Sequence, residues 1–378
     1  MSPHTADLDV VIAGAGKAGL LLARQLRRQQ PDLRIALFDK ATESSSKVGE
    51  STVEIASAYL VRRLGLDGYL YRRHLPKNGL RFFFDTPACD GPLESLSEMG
   101  SRSFPVAPSF QIDRARFEED LVDMNRSQGI TIERGARVDE IALGHDGALH
   151  ELCVTTAAGR RHLRCRWFID ASGRAGVLAR KLSLRQPESH EMVAVWGRFE
   201  GVRDIDESGS AAFRARVDFT SRMLSTNHFC YPGYWFWFIP LSGGATSVGL
   251  VIEKSTLAEK LADGWPDNWR TESGFREVID KHRAPREMLD EARAVDIMSY
   301  KQLAYGCSRY FSSDRWALIG EAASFSDPFY SPGSDFIALE NDYVSDLVAR
   351  DTRGEAIDEA ATLYDQYLRF RHEAAMKL

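Results

Sequence analysis

The sequence is short of everything that would tie it to a metal, a membrane or a nucleic acid. Its 378 residues include five cysteines, Cys89, Cys153, Cys165, Cys230 and Cys307, scattered and odd in number. No two have metal-ligand spacing, so no metal site is expected, and the thiols read as reduced, small buried groups of a cytosolic (cytoplasmic) chain. No apolar run approaches the ~20 residues a membrane-spanning helix needs, so no membrane role is expected. Met1 to Asp7 lacks the basic-then-apolar pattern of a secretion signal. A positive excess is missing too: 48 Lys and Arg stand against 54 Asp and Glu, net −6, which argues against a nucleic-acid partner. There is no internal repeat and no low-complexity segment. What remains is ordinary globular composition, 44% hydrophobic and 27% charged, of a length that suits two domains or one large domain with an insertion.

What is present in strength is a glycine pattern near the N-terminus. The apolar run Leu8 to Ala13 leads into Gly14-Ala15-Gly16-Lys17-Ala18-Gly19, and helical spacing follows in Leu20, Ala23 and Leu26. A strand feeding a helix through Gly-x-Gly-x-x-Gly makes a dinucleotide cradle. Gly14 permits the tight turn, Gly16 lets backbone reach a pyrophosphate, and Gly19 lets helix pack on strand. The helix N-terminus offers free N–H groups and partial positive charge to the phosphates. Twenty residues on, Asp39 closes a second apolar run, Ile35 to Phe38, where an acid can hold ribose hydroxyls; Lys40 follows it.

Farther along, Val48-Gly49-Glu50-Ser51-Thr52 precedes a helix-like run from Val53 to Leu64. Arg62, Arg63, Arg72, Arg73 and His74 form a basic patch, read either as a solvated face or as a surface for an acidic partner. Leu80 to Phe84 reads as a strand, Thr86 to Pro108 as an inserted loop, and Ala115 to Asn125, just after Arg114, as a helix. Ile130 to Ile169 is β in pattern, with turns at His145-Asp146-Gly147 and Ala157-Ala158-Gly159. It closes on Asp170-Ala171-Ser172-Gly173. Met192 to Glu200, Phe213 to Phe219, His228 to Pro240 and Thr246 to Ile252 are expected to form one antiparallel sheet, the wall of a substrate cavity. A helical stretch, Ser255 to Arg293, comes next. Trp316 to Gly320 is a third strand ending in glycine, followed by Glu321. Asp327-Pro328 and Pro332-Gly333-Ser334 lead into a helix from Asp335 to Ala349, and the C-terminal run is an amphipathic helix.

Three small-residue strand ends, at Gly14, Gly173 and Gly320, point to FAD held in the glutathione-reductase manner rather than to a nicotinamide cofactor, which needs mainly the first. Glu321 would face ribitol or ribose hydroxyls, and Asp327, Pro328 and Gly333 would bring backbone close to the isoalloxazine. The chain then resembles the flavin-dependent halogenases, within the FAD-dependent monooxygenases. It shares with them Gly-x-Gly-x-x-Gly at 14–19, Gly49-Glu50-Ser51, Lys77 in Lys-x-Gly-Leu-Arg-Phe, Asp170-Ala171-Ser172-Gly173, Trp235-Phe236-Trp237-Phe238-Ile239-Pro240, and Asp327-Pro328 before Gly333. The lysine and the Trp-x-Trp-x-Ile-Pro stretch are specific; the glycine motifs are common to all FAD monooxygenases.

The resemblance implies an α/β fold: a Rossmann-like FAD-binding domain (1–85, 110–185 and 296–353), an inserted antiparallel substrate domain (86–109 and 186–295) and a C-terminal helix (354–378). It also implies a chemistry. A separate flavin reductase supplies reduced FAD, oxygen forms the flavin C4a-hydroperoxide, and chloride or bromide is oxidised to hypohalous acid. Lys77 then directs this onto an electron-rich aromatic ring, with Trp235 and Trp237 walling the route. Phe82, Phe84 and Phe110 suit either an aromatic pocket or a core. Pro332, Gly333 and Ser334 occupy the family's halide site, but Pro332 has no N–H to give. Phe329, Tyr330 and Ser331 offer no carboxylate where tryptophan halogenases have a glutamate, which points to a phenol or pyrrole substrate, free or on an acyl or peptidyl carrier protein. The family usually has more helix beyond the C-terminal run, so an absent or reduced substrate lid is expected. Two alternatives stand beside this: a hydroxylating FAD monooxygenase, and a flavin-binding scaffold without turnover.

Overall fold

The computed structural model describes residues 6–217 and 219–377. Met1 to Thr5 of the N-terminal stretch, Asp218 within the expected Phe213–Phe219 strand, and Leu378 of the C-terminal run lie outside the described residues.

Two sheets organise the chain. The first has eight strands. Phe311–Ser312, Trp316–Leu318, Gly159–Asp170, Leu8–Ala13, Ile35–Asp39 and Thr131–Arg134 follow one another across it, and the pairs between Trp316–Leu318 and Thr131–Arg134 are all parallel. His150–Thr156 and Arg137–Ala142 extend it as an antiparallel meander, the hairpin closing at Thr156 and Gly159. Its strands are near-continuous apolar runs because both faces are covered: Val10, Val11 and Ile12 are fully buried, as are Leu20, Leu22 and Leu26 of the helix Lys17–Gln29 packed on it. Since Leu8–Ala13 pairs with both Gly159–Asp170 and Ile35–Asp39, and Gly159–Asp170 pairs with Trp316–Leu318, the strand ends marked by Gly14, Gly173 and Gly320 stand side by side.

The second sheet has seven strands in the order Arg293–Tyr300, Met192–Glu200, Ala245–Glu253, Tyr234–Pro240, Thr226–Tyr231, Leu80–Phe84 and Ser97–Gly100. Strict alternation splits its side chains. Phe236, Phe238, Val248 and Leu250 face a core closed by the helices Glu272–Asp280 and Arg283–Leu289, through Phe275, Val278 and Leu289. Trp235, Trp237, Ile239 and Val251 face the other way, with Trp196. Burial of each such large side chain is worth roughly 1.5–3 kcal/mol.

Four expectations change. No described residue of 213–219 is in a strand; Ser210 caps a short helix there, Ala211–Arg214, and Phe213 plugs the core. The Ser255–Arg293 stretch holds the helices Lys254–Ala262, Glu272–Asp280 and Arg283–Leu289, but Arg293 opens an edge strand. Residues 86–109 are not all loop, since Ser97–Gly100 pairs with Leu80–Phe84. The sheet is also not wholly antiparallel: Leu80–Phe84 runs parallel to Thr226–Tyr231, so this strand belongs to the second, seven-stranded sheet and not with the nucleotide strands of 1–85.

Candidate active site

A cavity of about 1390 Å³ lies between the strand ends of the first sheet and the Trp235–Trp237 face of the second. At one end Gly14 (φ +109°) makes the turn after Leu8–Ala13. A Cβ there would stand 2.3 Å from the carbonyl oxygen of Ala171, so only glycine fits. Over Gly16 the space is open, as a backbone approach by phosphate requires, and a Cβ on Gly19 would strike the Gly14 carbonyl at 2.3 Å. Ala18 lines the same cavity, whereas Ala15 does not and uses its N–H to hold the Asp39 carboxylate at 2.6 Å. Asp39 and Lys40 line this end. Gly173, Gly320 and Glu321 line the middle. A glycine turn with no room for a Cβ on Gly14 or Gly19, open space over Gly16, three parallel strand ends and a large cavity fit an FAD molecule.

Arg114, Gly49, Glu50 and Ser51 also line the cavity. Arg114 Nη1 donates to the carbonyl of Val48 at 2.7 Å, and its guanidinium clamps Glu118, which also takes Lys47 at 2.9 Å. Glu50 is buried and accepts from Ser247 Oγ at 3.2 Å, while Trp237 Nε1 donates to the same oxygen at 3.1 Å. Burial pushes the Glu50 carboxyl up to about 7, the Ser247 hydroxyl opposing. Trp237 has space because Gly249 stands opposite it; a Cβ there would meet the indole at 2.2 Å. Trp235 and Trp237 both line the cavity, their rings 5.8 Å apart.

Pro332 caps the helix Gly333–Thr352, and Pro332, Gly333 and Ser334 line the cavity at that helix start, as does Pro328. Pro332 sits where a helix has an unpaired N–H in any case, so the Gly333 and Ser334 N–H groups of the first turn are the donors there.

Lys77 is buried, 1% exposed, and is not among the residues lining the cavity. Its Nζ donates to Ser51 Oγ at 2.7 Å and to the Thr52 carbonyl at 2.8 Å. Ser51 Oγ does line the cavity, and it further meets Thr226 Oγ1 at 2.9 Å and receives Ser331 Oγ at 3.1 Å. Ser331 holds a left-handed backbone (φ +57°), a conformation costly for a non-glycine residue. Burial pulls Lys77 down to about 7, against the pull of the Glu54 and Asp335 carboxylates. Asp335, pushed up to about 6 by burial, accepts from Ala56 N at 2.7 Å and acts on Lys77 through its field; it lies beyond positions 329–331, in the helix that follows.

Other sequence-level roles move. Asp170 is fully buried away from the cavity; it accepts from Ser172 N, Ser172 Oγ and Leu178 N at 3.0, 2.6 and 2.7 Å and so shapes the turn that carries Gly173. Asp327 likewise holds its own loop, accepting from Phe329 N at 2.8 Å and meeting His190 Nε2 at 3.2 Å. Phe84 is exposed at the strand end and Phe110 is sealed in the core of the first sheet, so neither lines a pocket. Phe82 packs behind the cavity against His228 and Phe329, with centroids 4.9 and 5.1 Å away. His228 was not singled out, yet it lines the cavity, stacked on Phe82 and tilted against Trp235, and burial pulls it down to about 3, so it stays neutral. His74 leaves the basic patch: it is buried, with Nε2 3.1 Å from the Tyr69 hydroxyl. Arg63 and Arg73 are paired with Asp342 and Asp120.

Among the described residues no cluster of His, Cys, Asp and Glu could hold a metal, and no helix is long and apolar enough to cross a membrane. The chain is 27% identical over 375 residues to the flavin-dependent halogenase chlA of Dictyostelium discoideum, covering 90% of this chain and 60% of that one. It is 25% identical over 353 residues to the 1H-pyrrole-2-carbonyl-[peptidyl-carrier protein] chlorinase of Pseudomonas fluorescens, covering 88% and 73%. Its fold matches the crystal structure of halogenase PltM in complex with phloroglucinol and FAD, with a TM-score of 0.80 at 19% identity over 96% of this chain and 73% of that one. The FAD binding domain family matches residues 7–378, and the chain belongs to it.

Proposed function

We propose that this chain is a flavin-dependent halogenase acting on an electron-rich aromatic ring of phenol or pyrrole type, free or tethered to a carrier protein. One observation carries the reading: a single cavity joins three glycine-marked strand ends to the tryptophan face of the second sheet and to the Ser51 hydroxyl that holds Lys77. The names of the relatives support it, one acting on a pyrrole-2-carbonyl group on a peptidyl carrier and one seen with phloroglucinol. On this reading the first sheet serves the cofactor and the second the substrate.

Bound in reduced form, FAD delivered by a flavin reductase would supply the two electrons that activate oxygen, and the activated oxygen would oxidise chloride or bromide to hypohalous acid. Asp39, Lys40 and the Gly14–Gly19 turn hold the adenosine and pyrophosphate. Arg114, Gly49, Gly173, Gly320 and Glu321 would line the rest of the cofactor's path, and the Gly333 and Ser334 N–H groups would serve the halide. Trp235, Trp237 and His228 exclude water from the reaction space. Lys77 reaches it through Ser51 Oγ. Hypohalous acid is unselective by itself, so a fixed donor must orient it against one ring carbon. As the halogen passes to that carbon, the hypohalous oxygen takes a proton from the Lys77–Ser51 pair and leaves as water; the proton lost by the ring carbon returns the pair to its starting state.

The test is turnover of phloroglucinol, and of pyrrole-2-carboxylate on a carrier protein, with reduced FAD, oxygen and bromide, read by mass spectrometry. A brominated product supports the reading, and its absence with oxygen consumed refutes it. Pro332 favours a second reading, direct hydroxylation, because it removes one backbone donor from the halide site. A hydroxylated product that ignores halide would establish it.

A further inference from the structure

The first glycine turn carries a feature that the motif does not require. Lys17 follows Gly16 and is 4% exposed, yet its side chain lines the cavity. Nζ donates to the Gly49 carbonyl at 2.9 Å and to Ser334 Oγ at 2.7 Å. It thereby reaches from the start of the Lys17–Gln29 helix to the start of the Gly333–Thr352 helix. Both partners are neutral oxygens, and no described carboxylate lies within ion-pair distance of Nζ. Glu118 is already taken by Arg114 and Lys47, and receives only the backbone N–H of Lys17, while Glu321 and Glu50 act on the ammonium from beyond contact. A buried ammonium without a counter-charge is costly. Here two helix N-termini add further positive potential around it. Burial holds Lys17 well below the usual lysine range, with Arg114 adding to the effect and Glu118, Glu321 and Glu50 opposing it.

We propose that Lys17 is the cation that recognises the diphosphate of the bound dinucleotide, and so makes this site prefer FAD over flavins without that group. This rests on the flavin reading above. Gly16, with open space over it, gives the diphosphate access, and Lys17 meets it from the side of the Ser334 helix. Binding would then draw a proton onto Lys17, since the anion restores the charged form.

Flavin affinities of the full chain and of the Lys17→Met and Lys17→Gln variants, followed by flavin fluorescence for FAD and for riboflavin, test this. Gln keeps a donor for Gly49 or Ser334 while removing the charge. The expected result is an FAD affinity lower by about ten- to hundred-fold in both variants, as for a lost charge-assisted bond. Riboflavin affinity should be unchanged and Lys17→Arg should retain most of the FAD affinity. Equal loss of FAD and riboflavin binding, or no loss of either, overturns the proposal and leaves the halogenase reading standing. A wild-type chain that binds no FAD overturns both. Where riboflavin binds too weakly to follow, the salt dependence of FAD binding decides: it must flatten in Lys17→Gln, and an unchanged slope contradicts the assignment.

Discussion

Two buried lysines divide the site between them. Lys17 and Lys77 are both almost fully enclosed, each donates to one serine hydroxyl and one carbonyl, and burial lowers both. Their surroundings differ. Lys17 lines the cavity itself and donates only to neutral oxygens there, with Glu118, Glu321 and Glu50 acting on it from beyond contact, which leaves its ammonium open to an anionic ligand. Lys77 stands behind Ser51, with the fields of Glu54 and Asp335 upon it, which suits a proton store that acts through a hydroxyl. Burial alone therefore does not assign a lysine its work; what faces the ammonium does.

The comparison breaks most visibly at Lys77. Lys77→Ala should lower product formation by on the order of a hundred-fold or more, leaving FAD affinity unchanged, as for loss of a group that acts on the reacting atoms. A parallel titration of FAD separates the two effects. At Lys17 the pattern should reverse, with affinity lost by about ten- to hundred-fold and turnover at saturating FAD largely kept.

Ser51→Ala sharpens the contrast, since it removes the link between Lys77 and the cavity while Thr52 still holds Nζ. Product formation should fall by roughly ten-fold, the scale of a positioned proton donor made less well placed. An unchanged kcat would mean that Lys77 reaches the substrate unaided.

Stability offers a smaller effect with a definite sign. Lys77 titrates near 7 in the folded chain but near ~10.4 when unfolded, so its burial costs stability that grows as pH falls from about 10 to about 7 and is constant below. Relative to wild type, Lys77→Met should therefore gain melting temperature as pH is lowered from 10 to 7. A difference independent of pH would show that the ammonium is not disfavoured in the fold. Smallest of all, Phe84→Ala should change stability by no more than about 0.5 kcal/mol, while Phe110→Ala costs about 3–5 kcal/mol. Neither should alter the choice of aromatic substrate.

The cofactor end of the cavity was legible because its chemistry is local. A strand, a glycine turn and a helix announce themselves within a dozen residues, and Gly14, Gly173 and Gly320 align because parallel strands place their ends together. The reacting end is assembled across the chain: Ser51 meets Lys77 from 26 residues away and Ser331 from 280. No spacing rule predicts such contacts, so Lys77 was named without its serine, and His228 and Asp335 were passed over. Asp170 and Asp327 sit at the right strand end and loop, but short carboxylates there satisfied their own turns first. Phe84 and Phe110 failed for another reason: alternation tells which face a side chain takes, not whether that face is cavity, core or solvent.

The most direct measurement is the product of wild-type chain and Lys77→Ala, each saturated with reduced FAD and given oxygen, bromide and phloroglucinol. Brominated phloroglucinol from the wild type, and oxygen consumption without it from the variant, is the predicted result. A hydroxylated product from the wild type, or equal bromination by both chains, would contradict the assignment of Lys77 and of the halogenase reaction.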